Sequence, residues 1–158
     1  MKKLRAALIG CGRIGTKKHI EAFAANSDLI DLVAVCDLVP EKAERAAEEY
    51  MKRREISLNR GDEERIREED ETQNGQSRLP SSPASKPDLQ RPRVISDYKE
   101  LFSSQIDFVT IATESGNHYK NTIDFLSAGK HVLVEKPMAL SSEHMDQMIA
   151  LSREKKLK

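Results

Sequence analysis

The stretch from Leu4 to Gly15 constrains the fold more than any other part of the sequence. Its first half, residues 4–9, is an apolar run typical of a buried strand. Three glycines with the spacing G-x-G-x-x-G follow, and a helix-like pattern begins directly after them. We expect Gly10 to adopt a conformation that disfavours a Cβ atom, Gly12 to admit a pyrophosphate, and Gly15 to let the helix pack closely on the strand. The N–H groups of the first helical turn would then face the phosphates.

An acidic residue ends the second predicted strand. Residues 32–36 are apolar, and Asp37 follows them 22 residues after Gly15. Dinucleotide-binding units carry an acid about 20 residues after the last glycine, where it binds the adenosine ribose. A carboxylate accepts hydrogen bonds from both ribose hydroxyls and repels a 2′-phosphate, and the next residue is Leu38 rather than an arginine. The strand, the helix and the acid together favour a nucleotide site over a purely structural glycine turn, and NAD over NADP as the cofactor.

Length and composition narrow the class of protein. A chain of 158 residues is one domain long and can bury a proper core. Its 26 Lys and Arg balance its 26 Asp and Glu, which argues against nucleic acid or a membrane as a partner. No apolar stretch approaches the length of a membrane span, and we expect neither a signal peptide nor a membrane helix, hence a cytoplasmic protein. Cys11 and Cys36 have no metal-ligand spacing, so we expect small buried side chains near each other and no metal.

The composition changes between about residues 52 and 93. Residues 61–71 are nearly all charged, and residues 73–92 are rich in Pro, Ser, Gln and Asn. Such a segment cannot bury enough apolar surface to offset the entropy lost on ordering. We therefore predict one domain over residues 1–158 with a polar, largely mobile insertion at about 52–93, helical at most around 63–69. A docking role for the insertion is the alternative.

The remainder of the chain alternates strands and helices. Strands are predicted at 94–95, 106–112 and 131–134, in addition to the two near the amino terminus. Right-handed crossovers then give a doubly wound parallel sheet in the order 3-2-1-4-5, the Rossmann arrangement of the α/β class. The residues expected to frame the first helix are Ile14, Ala22, Phe23 and Asn26. The residues expected on the inner side of the last helix, which Ser141 caps, are Met145, Met148 and Ile149.

Two further segments follow carboxyl ends of strands, at the same edge as the glycine turn. These are residues 113–118 and residues 135–137. Lys136 is a cation placed where a nicotinamide and a substrate hydroxyl would meet, and there it can hydrogen-bond the reacting oxygen or carry its proton. A surface Glu–Lys pair explains the same spacing equally well. His19 either approaches this site or packs as a half-buried histidine.

Four segments resemble the Gfo/Idh/MocA oxidoreductases. They are residues 10–15, 35–37, 111–118 and 128–137, and the last run, AGKHVLVEKP, is the most specific. The resemblance covers nearly everything except about residues 52–93. It implies an NAD(P)-dependent dehydrogenase of sugars, polyols, inositols or nucleotide sugars. A methyltransferase also fits a glycine turn with an acid, but it leaves the Glu-Lys-Pro run unexplained.

The resemblance also implies roles for individual residues. Lys136 matches the family's active-site lysine, and Glu135 and His118 match residues that line the nicotinamide end. With the glycine motif, the expected cofactor-binding residues are Gly10, Gly12, Arg13, Ile14, Gly15, Asp37, Thr113, Asn117, His118 and Glu135. One departure is Glu114, which stands where the family commonly has a proline.

The family's second, α+β domain has no counterpart in this sequence. In the family that domain supplies oligomer contacts, most substrate contacts and a histidine resembling a general acid/base. The expected function is therefore the cofactor half of an oxidoreductase, inactive by itself on its sugar or polyol substrate. The alternative is a stand-alone NAD-binding module that acts as a sensor or partner subunit. We expect the fifth strand to be an exposed edge that favours pairing into a homo-oligomer.

Overall fold

The structure, a computed structural model, describes residues 2–72 and 90–158, and only the backbone of residues 59–72. Its centre is a parallel sheet of five strands in the order β3-β2-β1-β4-β5, which confirms the predicted fold class and order. The strands are β1 (Leu4–Ile9), β2 (Ile30–Cys36), β3 (Arg93–Ile95), β4 (Phe108–Ile111) and β5 (His131–Val134).

Helices cover both faces of the sheet. They are α1 (Ile20–Ala25), α2 (Pro40–Thr72), α3 (Ser115–Ser127) and α4 (Ser142–Glu154), with a 3₁₀ turn at Tyr98–Leu101. Side chains alternate along β1, so that Leu8 packs under α1 and α2 while Ile9 packs on the other face with Phe125 of α3. Ser141 caps α4, as predicted, because its Oγ accepts a hydrogen bond from the N–H of His144 at 3.2 Å.

The helix after the glycine turn begins with a wide π turn at Gly15–His19 before α1. The N–H of Ile20 donates to the carbonyl of Gly15, five residues earlier, so both residues face the sheet and both are buried. A regular α-helix would turn them to different sides. This explains why the predicted frame of the helix is wrong: Ile14, Ala22 and Asn26 are exposed, and only Phe23 is buried.

Helix α2 continues beyond the predicted start of the polar insertion. Its backbone is helical to Thr72 rather than ending near residue 52. Arg54 is buried. Its guanidinium donates to the hydroxyl of Tyr50 at 3.2 Å and lies 5.8 Å from the centre of that ring. The residues that follow Tyr50 therefore still contribute to the core. Residues 73–89 of the predicted insertion lie outside the described residues.

The end of the chain lies against the edge strand β5. The N–H of Val132 donates to the carbonyl of Lys158 at 2.9 Å, so one hydrogen-bonding position of the predicted free edge is occupied. In α4, Met148 is buried but Ile149 is 37% exposed, contrary to the prediction that both face inward. Within the described residues, no helix combines the length and the apolar content needed to cross a membrane.

Candidate cofactor site

The glycine turn has the geometry that the sequence predicts. Gly10 has a φ of +92°, and a Cβ atom on it would lie 2.6 Å from the backbone of Ala112. A Cβ on Gly15 would lie 2.1 Å from the carbonyl oxygen of Gly10. Gly12, in contrast, has no heavy atom within 4 Å of such a Cβ, so space is left above the turn. Close contact at two glycines and open space at the third fit a turn that receives a phosphate group.

A cleft of about 370 Å³ opens at the carboxyl ends of the strands. Five of the predicted cofactor residues line it: Gly10, Gly12, Asp37, Thr113 and Asn117. Arg13 and Ile14 are exposed on the turn, Gly15 is buried beneath it, and His118 and Glu135 do not line this cleft. The structure therefore brings half of the predicted set into one cavity, and the other half does not line it.

The carboxylate of Asp37 is already engaged by the backbone. Its Oδ2 accepts from the N–H of Cys11 at 2.8 Å, and its Oδ1 accepts from the N–H of Val39 at 2.9 Å. Asp37 therefore holds the glycine turn and the start of the next segment in place. Each carboxylate oxygen has a second acceptor site, so hydrogen bonds from a ribose remain available. The sequence spacing indicated a ligand-binding role and gave no sign of this structural role.

The two cysteines lie beneath the same carboxylate. Cys11 and Cys36 are free and buried, and the Cys11 Sγ donates to the carbonyl of Cys36 at 3.5 Å. Burial raises the pKa of both thiols to about 12, and the negative charge of Asp37 adds to the effect. Both therefore stay protonated and unreactive at neutral pH. Among the described residues, no group of three or more His, Cys, Asp or Glu side chains is arranged to hold a metal ion.

The far wall of the cleft contains a polar cluster that the sequence analysis missed. Lys120 Nζ and the Tyr98 hydroxyl both donate to Asp124 Oδ2, at 2.5 and 2.6 Å. The bond to Asp124 raises the pKa of Lys120. Burial would raise the pKa of Asp124, but the hydrogen bonds from Lys120 and Tyr98 outweigh this effect, so the pKa of Asp124 is lowered. Lys120 is thus a cation already paired with a carboxylate. Tyr98 follows the carboxyl end of β3, and the rule that such ends face the ligand would have found it.

The loop after β5 carries Lys136. The side chain of Lys136 is exposed. The main-chain N–H of Lys136 donates to Glu135 Oε2 at 3.1 Å. The other oxygen of this carboxylate, Oε1, lies 2.8 Å from Nε2 of His19. The bond to His19 lowers the pKa of Glu135, with a smaller contribution from the N–H of Lys136. His19 is partly buried, as the packing alternative expects, and its ring also reaches this loop through Glu135.

His118 ties this loop to the end of β4. The ring is 1% exposed, with Nδ1 at 2.8 Å from the carbonyl of Pro137 and Nε2 at 2.9 Å from the carbonyl of Thr113. Because carbonyls only accept, both contacts are hydrogen bonds only when each ring nitrogen carries a proton. The side chain makes these contacts inside the protein and does not line the cleft.

Several known proteins are similar to this chain. The D-glucoside 3-dehydrogenase of Escherichia coli (strain K12) is 27% identical over 150 residues, covering 95% of this chain and 32% of that protein. The scyllo-inositol 2-dehydrogenase (NADP(+)) IolW of Bacillus subtilis (strain 168) is 34% identical over 71 residues, covering 44% of this chain and 20% of that protein. The chain thus spans about a third or less of the length of these relatives.

A solved structure and a family-wide comparison agree with these relatives. The WlbA dehydrogenase from Bordetella pertussis, crystallised with NADH and UDP-GlcNAcA, is 27% identical with a TM-score of 0.67, covering 99% of this chain and 36% of that one. The sequence model of the Gfo/Idh/MocA oxidoreductase family, NAD-binding Rossmann fold, matches residues 4–58 and 69–158. Only residues 59–68 within that span are unmatched, fewer than the resemblance had left out. The chain therefore belongs to the Gfo/Idh/MocA oxidoreductase family and forms its NAD-binding Rossmann fold.

Proposed function

We propose that this chain binds NAD(H) and is the cofactor-binding part of an oxidoreductase that acts on a hydroxyl of a sugar, polyol, inositol or nucleotide sugar. The observation that carries the proposal is the glycine turn itself. Gly12 leaves open space beside the first helical turn, while Asp37 lies in the same cleft and is hydrogen-bonded to that turn. Phosphates and a ribose are the groups that this pair of features suits.

The site residues divide the work of binding and of proton handling. Backbone N–H groups after Gly12 would hold the pyrophosphate, and Asp37 the adenosine ribose. A bound nicotinamide would accept or return a hydride. Lys136, which is exposed, is the residue we assign to hydrogen-bond the substrate oxygen and to move its proton. Its cationic form would stabilise negative charge that develops on that oxygen.

The charges of the cleft support NAD rather than NADP. In this proposal the carboxylate of Asp37 would repel a 2′-phosphate, and Leu38 beside it is 84% exposed and offers no cation. Lys120 lines the cleft, but its charge is paired with Asp124. Lys42 is the remaining lysine of the described lining, which leaves little positive charge to oppose Asp37.

Calorimetric titration with NADH and NADPH tests the proposal. We expect NADH to bind more tightly, and Asp37→Asn to bring the two affinities closer because the repelling charge is removed. Asp31→Asn is a matched control, since Asp31 is a half-exposed carboxylate at the start of the same strand. Failure to bind either cofactor would contradict the proposal, and equal or tighter NADPH binding would contradict its choice of cofactor.

A second candidate is a stand-alone NAD-binding module. The observation in its favour is that the side chain of Lys136 is exposed and, among the described residues, its Nζ atom has no hydrogen-bond or ion-pair partner. Both candidates predict cofactor binding. They differ in turnover, because only the first predicts oxidation of a substrate once the remaining substrate contacts are supplied.

A further inference from the structure

One side-chain contact joins the helix after the glycine turn to the loop of Lys136. His19 and Glu135 are 116 residues apart in sequence, yet Nε2 of the first lies 2.8 Å from Oε1 of the second. The side chains are 16% and 26% exposed, so solvent reaches them only in part. A hydrogen bond between such groups, one of them ionised, is stronger than a surface ion pair.

The wide turn at Gly15–His19 accounts for the position of His19. Gly15 must face the sheet because it packs on the carbonyl of Gly10, and Ile20 must face it because it is fully buried. The extra residue in this turn satisfies both requirements and leaves His19 beside Ile20, on the flank that meets the β5 loop. Single wide turns of this kind are frequent at functional sites in helices.

Both carboxylate oxygens of Glu135 have a hydrogen-bond partner inside the protein. Its Oε1 is bound by His19, and its Oε2 accepts from the main-chain N–H of Lys136. The contact to Lys136 is made by the residue next to it in the chain, so the carboxylate fixes the local backbone from which the lysine side chain extends. Removal of His19 would leave the carboxylate with one of these two hydrogen bonds and would therefore loosen its hold on the main chain.

We propose that His19 is a positioning residue for Lys136, acting through the carboxylate of Glu135. The same contact couples the pyrophosphate end of the site to the lysine, because His19 lies in the first turns after Gly12 and Gly15. Glu135 then acts as the link inside the protein between His19 and the main chain of Lys136. This inference rests on the proposed function, since the position of Lys136 matters only if a nicotinamide binds beside it.

The experiment measures how fast acetic anhydride acetylates Lys136, by mass spectrometry, with and without saturating NADH. Slower acetylation in the presence of NADH shows that the lysine lies at the cofactor. In the unaltered chain we expect NADH to slow acetylation about tenfold, the factor that one charge-assisted hydrogen bond would give. His19→Ala should abolish most of this protection although NADH still binds. His19→Gln, whose amide can donate to Glu135, should restore it. His144→Ala is the control for loss of an imidazole elsewhere.

The outcomes separate this inference from the proposed function. Absence of NADH binding to the unaltered chain in calorimetry refutes the proposed function. Binding with equal protection in the unaltered chain and in His19→Ala overturns the positioning role alone, as does binding without any protection of Lys136. If circular dichroism shows that His19→Ala does not fold, the test uses Glu135→Ala and His19→Gln instead. The positioning role requires that Glu135→Ala lose the NADH protection of Lys136 and that His19→Gln keep it.

Discussion

A Cβ atom on Gly15 would lie 2.1 Å from the carbonyl oxygen of Gly10, well inside van der Waals contact. The contact is with backbone, which cannot rotate away as a side chain can. We expect Gly15→Ala to lower the free energy of unfolding by about 1–3 kcal/mol, the usual result of overpacking. Urea unfolding followed by circular dichroism measures the loss.

Gly12→Ala is the matched variant in the same turn. Nothing lies within 4 Å of a Cβ there, so we expect the stability to change by no more than about 0.5 kcal/mol. NADH affinity should nevertheless fall, because the new methyl group occupies the space proposed for the pyrophosphate. Equal destabilisation by the two variants would contradict the division of roles between these glycines, and unchanged affinity in Gly12→Ala would contradict the proposed phosphate position.

The sheet could be predicted from sequence because its signals are local. Apolar runs such as residues 4–9 and 131–134 mark the strands, and right-handed crossovers leave few alternatives for their order. The wide turn at Gly15–His19 could not be predicted in this way. Its cause is a conflict between the packing of Gly15 on Gly10 and the burial of Ile20, and neither contact is visible in a helical repeat.

His118 should contribute to stability although it sits beside the site. The ring is buried between the carbonyls of Thr113 and Pro137. His118→Ala would leave a cavity and at least one carbonyl without its side-chain donor, so we expect a loss of about 2–4 kcal/mol in the free energy of unfolding. His144→Ala is the control: its ring stacks on Tyr119 at the surface, and the loss should stay near or below about 1 kcal/mol. Comparable losses of the two variants in urea unfolding would argue against a stabilising role for the buried ring of His118.

Stability should fall as the pH rises above about 9. The ordinary pKa of a thiol is 9.0, whereas Cys11 and Cys36 have pKa values raised to about 12. Between these values the unfolded chain has lost protons that the folded chain retains, so the free energy of unfolding decreases with increasing pH. Urea unfolding at pH 7.5, 8.5 and 9.5 gives the slope. The Cys11→Ala/Cys36→Ala variant should have a flatter slope, and an identical slope would show that other groups dominate.

Cofactor choice should respond to the residue after Asp37. Leu38 is 84% exposed, so Leu38→Arg leaves the core intact and adds a cation beside the proposed ribose site. We expect NADPH affinity to rise about tenfold, as one charge-assisted contact to the 2′-phosphate would give. Leu29→Arg, at an exposed position before the start of β2, controls for the added charge. An equal gain in both variants would attribute the effect to net charge alone.

The sequence identified the parts of the site that lie next to strand ends and missed those that depend on distant contacts. Asp37, Thr113 and Asn117 follow carboxyl ends of strands, and all three line the cleft. The pairing of His19 with Glu135 depends on two segments brought together by the whole sheet and on the wide turn. No spacing within either segment could indicate it, and for the same reason the sequence gives no sign of the contacts of His118 with two carbonyls.

We expect this chain to bind NADH but not to oxidise sugars or polyols by itself. Hydride transfer needs the substrate carbon held against the nicotinamide, and positioning of this kind is worth about 7 kcal/mol or more. Lys136 is the group to which we assign proton handling, and the WlbA dehydrogenase is nearly three times as long, with 36% of it covered by this chain. NADH production over a panel of sugars, inositols and nucleotide sugars measures turnover, with Lys136→Ala as the control. Turnover that disappears in this variant would mean that these 158 residues already contain a complete catalytic site.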